Sequence, residues 1–154
     1  MQTDQLLAVL TGDLIESQKY PDQLETALDI INHSFKEFLS STIDPAQHIP
    51  IAKFRADSFQ AVMGRPEMAL RAAVFIRANL VSTPLDAVSL DARIAIGIGK
   101  ADSLDTENVS LSAGRPFRKS GLLLDAMAGK RQNMMVTSPW EDEVDREVNT
   151  ECML

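Results

Sequence analysis

Between Ile51 and Gly64 the chain reads IAKFRADSFQAVMG, two runs of alternating character that meet at Asp57. Ile51, Lys53 and Arg55 share one face of the first run, and Ala52 and Phe54 share the other. Beyond the break, Phe59, Ala61 and Met63 recur at every second residue, the period of a half-buried strand. The stretch is therefore expected to be a β-hairpin with Ala56, Asp57 and Ser58 at its tip.

Working outward, the run Leu6 to Leu10 reads as a buried strand cut by a tight turn at Thr11, Gly12 and Asp13. From Pro21 onward, Leu24, Ala27, Leu28, Ile31, Phe35 and Phe38 recur at three and four, which is one face of a helix. A loop from Ser41 to Pro50 leads into the hairpin. After it, Arg65, Pro66 and Glu67 open a second helix carrying Met68, Ala72, Phe75, Ile76 and Leu80. DARIAIGIG, ending at Gly99, alternates strictly and reads as the fourth strand.

The order is then βαββαβ, an α+β, ferredoxin-like arrangement with an antiparallel sheet and two helices on one face. A further helix from about Ser112 to Met127 and a short strand at Asn133 to Val136 extend it. The main domain is expected to span residues 1–138, with an acidic helical start over 139–154. Its stripe of Trp140, Val144, Val148, Cys152 and Leu154 stops on apolar residues, so continuation of the chain is expected.

The bulk properties remove whole classes of function. A net charge of −7 opposes sequence-independent attraction to nucleic acid or anionic lipid, which needs clustered Lys and Arg. Cys152 is the single cysteine, so an intrachain disulfide or thiolate metal cluster is excluded, and a reducing, cytoplasmic setting is expected. The apolar run before Thr11 is too short to span a membrane, and no membrane partner is expected.

In a βαββαβ sheet the first strand lies beside the hairpin, so Asp13 and Asp57 are expected to converge at neighbouring strand ends. Two such carboxylates repel unless a proton or a cation lies between them, and oxygen-only ligands suit Mg²⁺ or Mn²⁺. The residues after Asp13, Leu14, Ile15, Glu16 and Ser17, are expected to run into the N-terminal side of the first helix, where N–H groups suit phosphate. The same two aspartates would equally serve as a turn cap and a hairpin tip.

Other residues carry less. Arg115, Arg118 and Lys119 form a basic cluster that suits phosphate or a solvated helix start. Lys53 and Arg55 suit ligand binding or pairing with the acidic surface. His33 and His48 lack a second ligand at metal spacing. GIGKAD, with Gly97, Gly99 and Lys100, fails both phosphate-loop spacings, so its glycines are expected to let the strand end turn sharply. Ser120 lacks the upstream glycine of a nucleophile elbow. Met134 and Met135 read as core filler.

The words TGDLIES at 11–17, FRADSFQAVM at 54–63, RIAIGIG at 93–99 and GRPFRKSGLLLD at 114–125 resemble the catalytic palm of class III nucleotide cyclases. More closely, they resemble the small bacterial SatD-type proteins of that superfamily. The resemblance spans about residues 5–136 and implies that Asp13 and Asp57 match the palm's two metal-binding aspartates, with the Ile15 carbonyl as a third ligand. It implies Mg²⁺ or Mn²⁺ holding a nucleoside triphosphate, with Leu14, Glu16, Ser17, Arg118 and Lys119 near phosphate. The purine-selecting Lys would fall near Ile51, with Lys53 close by.

Cyclases also place Asn and Arg four apart on the late helix, where this chain has Arg118 and Leu122. That departure argues against ordinary cyclase activity and leaves nucleotide or metal binding, while the resemblance implies a nucleotide- or Mg²⁺-sensing regulatory homodimer. In SatD-type proteins a DNA-binding helix-turn-helix often follows the palm, which would lie beyond residue 154. An active nucleotidyl-transfer enzyme and a ligand-free assembly module are the alternative readings.

Overall fold

A computed structural model describes residues 4–42, 49–140 and 142–153. His48, Leu154 and most of the expected loop before the hairpin lie outside these. The sheet runs β2-β3-β1-β4-β7. It is built from β1 (Leu7–Leu14), β2 (Ala52–Phe54), β3 (Ser58–Met63), β4 (Ala92–Gly99) and β7 (Met134–Thr137), and β5 (Ala101–Ser103) pairs with β6 (Ala113–Gly114) as a separate ribbon. Among the described residues the α-helices are α1 (Leu24–Thr42), α2 (Ala69–Ser82), α3 (Arg115–Met127) and α4 (Asp142–Glu151). The βαββαβ order and the hairpin are as expected, and β7 adds a parallel edge beside β4.

Strand alternation sorts the core into two layers. Ala8, Leu10 and Leu14 of β1 join Phe59, Ala61, Met63, Ile94 and Ile96 on the face that meets Ala27, Ile31 and Phe35 of α1 and Ala72, Ile76 and Leu80 of α2. Each of the larger residues buried there contributes about 1.5–3 kcal/mol. The opposite face carries Leu7, Val9 and Val62, packed with Phe117 of α3. A hydroxyl chain extends that contact: Gln60 Nε2 donates to Thr11 Oγ1 at 3.0 Å, and Thr11 Oγ1 lies 2.7 Å from the buried Ser120 Oγ.

The expected turn at Thr11, Gly12 and Asp13 is instead strand. β1 continues to Leu14, with Gly12 opposite Phe59 and Asp13 between Ser58 and Arg93. Glycine and aspartate are poor strand formers, but each is accommodated by its neighbours. The Phe59 ring lies where a Gly12 Cβ would stand, and Arg93 supplies the opposite charge across the ladder.

The chain after β1 does not run directly into α1. Two short 3₁₀ turns intervene, Ser17–Lys19 and Pro21–Gln23, the second running on into Leu24 of α1. α3 begins at Arg115 rather than Ser112, because Ala113 and Gly114 are drawn into the ribbon with Ala101 and Ser103. Trp140 precedes α4, whose Val144 and Val148 line an apolar cleft with Leu70, Ile98 and Val136.

The glycines of β4 serve packing rather than a turn. A Cβ on Gly97 would stand 2.3 Å from the Pro116 carbonyl oxygen, whereas one on Gly121, in the interior of α3, would meet nothing within 4 Å. Gly97→Ala is therefore expected to destabilise the fold by about 1–3 kcal/mol through overpacking. Gly121→Ala should stabilise it by about 0.5–1 kcal/mol through helix propensity. Urea denaturation midpoints of the two variants, moving in opposite directions, check this reading.

Candidate functional site

Antiparallel pairing of β1 with β3 and β4 brings three aspartates to one end of the sheet: Asp13 in β1, Asp57 at the hairpin, and Asp91 just before β4. The backbone closes this end tightly. Leu14 N–H donates to the Asp57 carbonyl at 2.9 Å, and Ile15 N–H donates to the Asp91 carbonyl at 3.0 Å. Asp13 and Asp57 therefore converge as expected, although Asp13 reaches the site from within the strand.

Two of the three carboxylates have their own cation. Arg93 donates to Asp13 through both Nε, 3.0 Å from Oδ1, and Nη2, 2.9 Å from Oδ2. Arg77 of α2 holds Asp91 in the same two-point manner, at 2.8 and 2.7 Å. Such forks fix orientation as well as charge. Asp57 is different. It accepts from Ser17 Oγ at 2.8 Å and Ser58 Oγ at 3.3 Å, and among the described residues it makes no ion pair.

Tyr20 closes the floor of the site. It is buried, and its hydroxyl donates to the Ile15 carbonyl at 2.8 Å. Burial, followed by the charges of Asp57, Asp91, Glu16 and Asp13, pushes the phenol up from its ordinary 10.0 to about 12. The hydroxyl thus remains a donor across the physiological range, in a neighbourhood where negative charge dominates.

The other expected site residues are dispersed. Glu16, at φ 53°, turns outward and pairs with Lys19 at 2.9 Å. Lys53 lies on the α1 side of the sheet, where it meets Asp29 at 3.1 Å, across the sheet from Asp13. Arg118 is exposed and 3.7 Å from Asp102, Lys119 is exposed, and Leu122 is 65% exposed. Arg55 falls just outside β2 at φ 52°. His33 lines a groove of about 490 Å³ between α1 and α2, remote from the aspartates.

A divalent cation is tested by the donors present. Asp57, the Ile15 carbonyl and Asp13 supply oxygen alone, the chemistry that Mg²⁺ and Mn²⁺ take. Asp57 is the member that lacks a positive partner. Asp13 is the member already neutralised, so a cation there competes with Arg93. Among the described residues no group of three or more His, Cys, Asp or Glu side chains gathers to hold a metal.

Arg93, Tyr20, Arg77 and Asp91 were not marked by the sequence patterns. An arginine inside the otherwise apolar RIAIGIG is the signal that points to Arg93. For Tyr20 the only signal is that it is the single tyrosine, placed directly after the site segment.

Neither a family model nor a curated protein matches the chain. Solved structures of nucleotide cyclase domains do resemble it. The guanylyl cyclase Cya2 is similar at 14% identity and a TM-score of 0.61, over 100% of this chain and 81% of that one. An adenylate/guanylate cyclase/hydrolase from Silicibacter pomeroyi is similar at 16% identity and a TM-score of 0.59, over 96% and 80%. The GGEEF domain of a diguanylate cyclase from Vibrio cholerae follows at 16% and 0.55, over 90% and 85%. At these identities the likeness is one of fold: the chain has a nucleotide cyclase-like palm. Among the described residues no helix is long and apolar enough to cross a membrane.

The raised Tyr20 phenol gives a pH signature of known sign. Because the folded chain holds this proton more tightly, its stabilising contribution is complete below about pH 10 and is lost as pH rises through about 12. Tyr20 is the only tyrosine, so tyrosinate absorbance of the folded protein should appear with a midpoint near 12. A midpoint near 10 would contradict the buried geometry. Tyr20→Phe should flatten the alkaline loss of stability.

Proposed function

We propose that this chain is a nucleotide-sensing regulatory palm of a SatD-like protein, working as a homodimer and binding a nucleoside triphosphate together with Mg²⁺ or Mn²⁺. One observation carries the reading. Asp13 and Asp57 stand on adjacent strands at one end of the palm, beside the Ser17 turn, and Asp57 carries a charge that no side chain neutralises among the described residues. When bound, the cation would be held by the oxygens of Asp57, Asp13 and Ile15 and would supply positive charge to offset that of the phosphates. Asp57 is its first anchor, Ser17 orients that carboxylate, and Tyr20 holds the Ile15 carbonyl in place.

The same geometry disfavours turnover. Electrostatic stabilisation of a transferring phosphoryl group needs donors aimed at the reacting centre. The late helix offers Leu122, turned to solvent, and Arg118, directed to Asp102. A role in signalling by occupancy therefore accounts for the residues better than a role in catalysis. The resemblance to SatD-type proteins supports regulation as the output.

Calorimetric titration of Mg²⁺-ATP and Mg²⁺-GTP tests this directly. The wild type should bind one of them, and Asp57→Ala should weaken that binding by roughly tenfold or more, the scale of losing one charge-assisted contact. Absence of binding by the wild type would sink the nucleotide reading. Incubation with Mn²⁺ and either nucleotide should give no cyclic product. A product that disappears in Asp57→Ala would instead establish an enzyme.

A further inference from the structure

Asp13, Asp57 and the Ile15 carbonyl lie on adjoining segments at one end of the palm, and each is already engaged: Asp13 by Arg93, Asp57 by Ser17, and the Ile15 carbonyl by Tyr20. These engagements differ in kind. A hydroxyl donor leaves carboxylate charge uncompensated, and a carbonyl accepting one hydrogen bond keeps a second lone pair. A guanidinium fork occupies both oxygens of its carboxylate and cancels the charge. Arg93 is therefore the one contact that directly competes with a cation.

We infer that Arg93 is an internal competitor that decides which ligand the palm accepts, closing Asp13 to a free divalent cation and yielding it to a cation bound to phosphate. This rests on the nucleotide reading above and adds the residue that sets its selectivity. A bare ion must displace the guanidinium and leave that positive charge without a partner. A cation carrying phosphate brings oxygens that can accept the released Nε–H and Nη–H donors, so one charge-assisted fork replaces another. Ligand and cation thus bind together where either alone binds poorly.

The position of Arg93 permits the exchange. Its side chain and that of Asp13 are 23% and 22% exposed, open enough for a ligand to reach yet covered enough for the pair to be held. Arg93 and Asp13 are cross-strand partners in β4 and β1, so their Cα atoms are set by the ladder and only the side chain needs to move. Arg77 forms the same fork on Asp91 at nearly the same exposure, 23% and 24%, so exposure does not set the Arg93 pair apart; its place does, because Asp13 lies in β1 opposite Ser58, next to the unpaired Asp57.

The test is a Mn²⁺ titration of the full chain, read by the electron paramagnetic resonance signal of free Mn²⁺, without nucleotide. Arg93→Met should bind Mn²⁺ roughly 10- to 100-fold more tightly than the wild type, the scale of one charge-assisted fork. Asp13→Asn added to Arg93→Met should abolish the gain. Arg93→Lys, which keeps the charge and loses the fork, should fall between, and it keeps the test open if the methionine variant does not fold. Equal Mn²⁺ affinity in wild type and folded Arg93 variants overturns the inference. Gain of Mn²⁺ binding in a chain whose wild type ignores Mg²⁺-nucleotide supports the block on free cation, but overturns the yielding to a phosphate-bound one together with the nucleotide reading. The reverse pattern removes the competitor alone.

Discussion

The ion pair between Asp13 and Arg93 lies across the two central strands of the sheet, and much of the architecture at this end depends on it. An aspartate in a central strand is costly unless its charge is met, because neighbouring strands exclude most of the water that would solvate it. Arg93 meets that charge with two hydrogen bonds from the facing position in β4. β1 can therefore continue through Gly12 and Asp13 to Leu14, and the Leu14 N–H can reach the Asp57 carbonyl of the hairpin. Without that continuation the hairpin and the first strand would not share an end.

The electrostatic pattern follows from the same constraint. Three aspartates gather where three segments meet, and two arginines, each from an element packed at this end, neutralise two of them. The remaining carboxylate, Asp57, is surrounded by hydroxyl donors rather than cations. Buried Tyr20 registers the imbalance, since neighbouring negative charges add to burial in holding its proton. The proposed cation, carrying its own oxygen ligands, would meet here one uncompensated carboxylate, one carboxylate held by Arg93 and one carbonyl positioned by Tyr20.

Much of this fold was legible in the sequence because it rests on periodicity. The alternation of Phe59, Ala61 and Met63 and of Ala92, Ile94 and Ile96 marked strands, and the spacing of Ala27, Ile31 and Phe35 marked a helix face. The convergence of Asp13 and Asp57 followed from element order alone. What remained hidden depended on partners distant in sequence. Gly12 and Asp13 carry turn chemistry locally, and only Phe59 and Arg93, dozens of residues away, make them strand. Gly97 reads locally as a turn glycine, while its cause is the close approach of Pro116. Lys53 shares a hairpin with Asp57, but the register puts it on the opposite face beside Asp29.

In the proposed palm, Asp13 is held by an internal cation, Arg93, that yields to a metal-complexed nucleotide. The most direct measurement follows the Arg93 Nε–H resonance by nuclear magnetic resonance as Mg²⁺-ATP or Mg²⁺-GTP is added. If Arg93 releases Asp13 to the ligand, this resonance leaves its carboxylate-bonded position and saturates together with shifts at the Ser17 and Asp57 amides. An Arg93 resonance that stays fixed while those amides saturate, or a spectrum that no nucleotide moves, would contradict it.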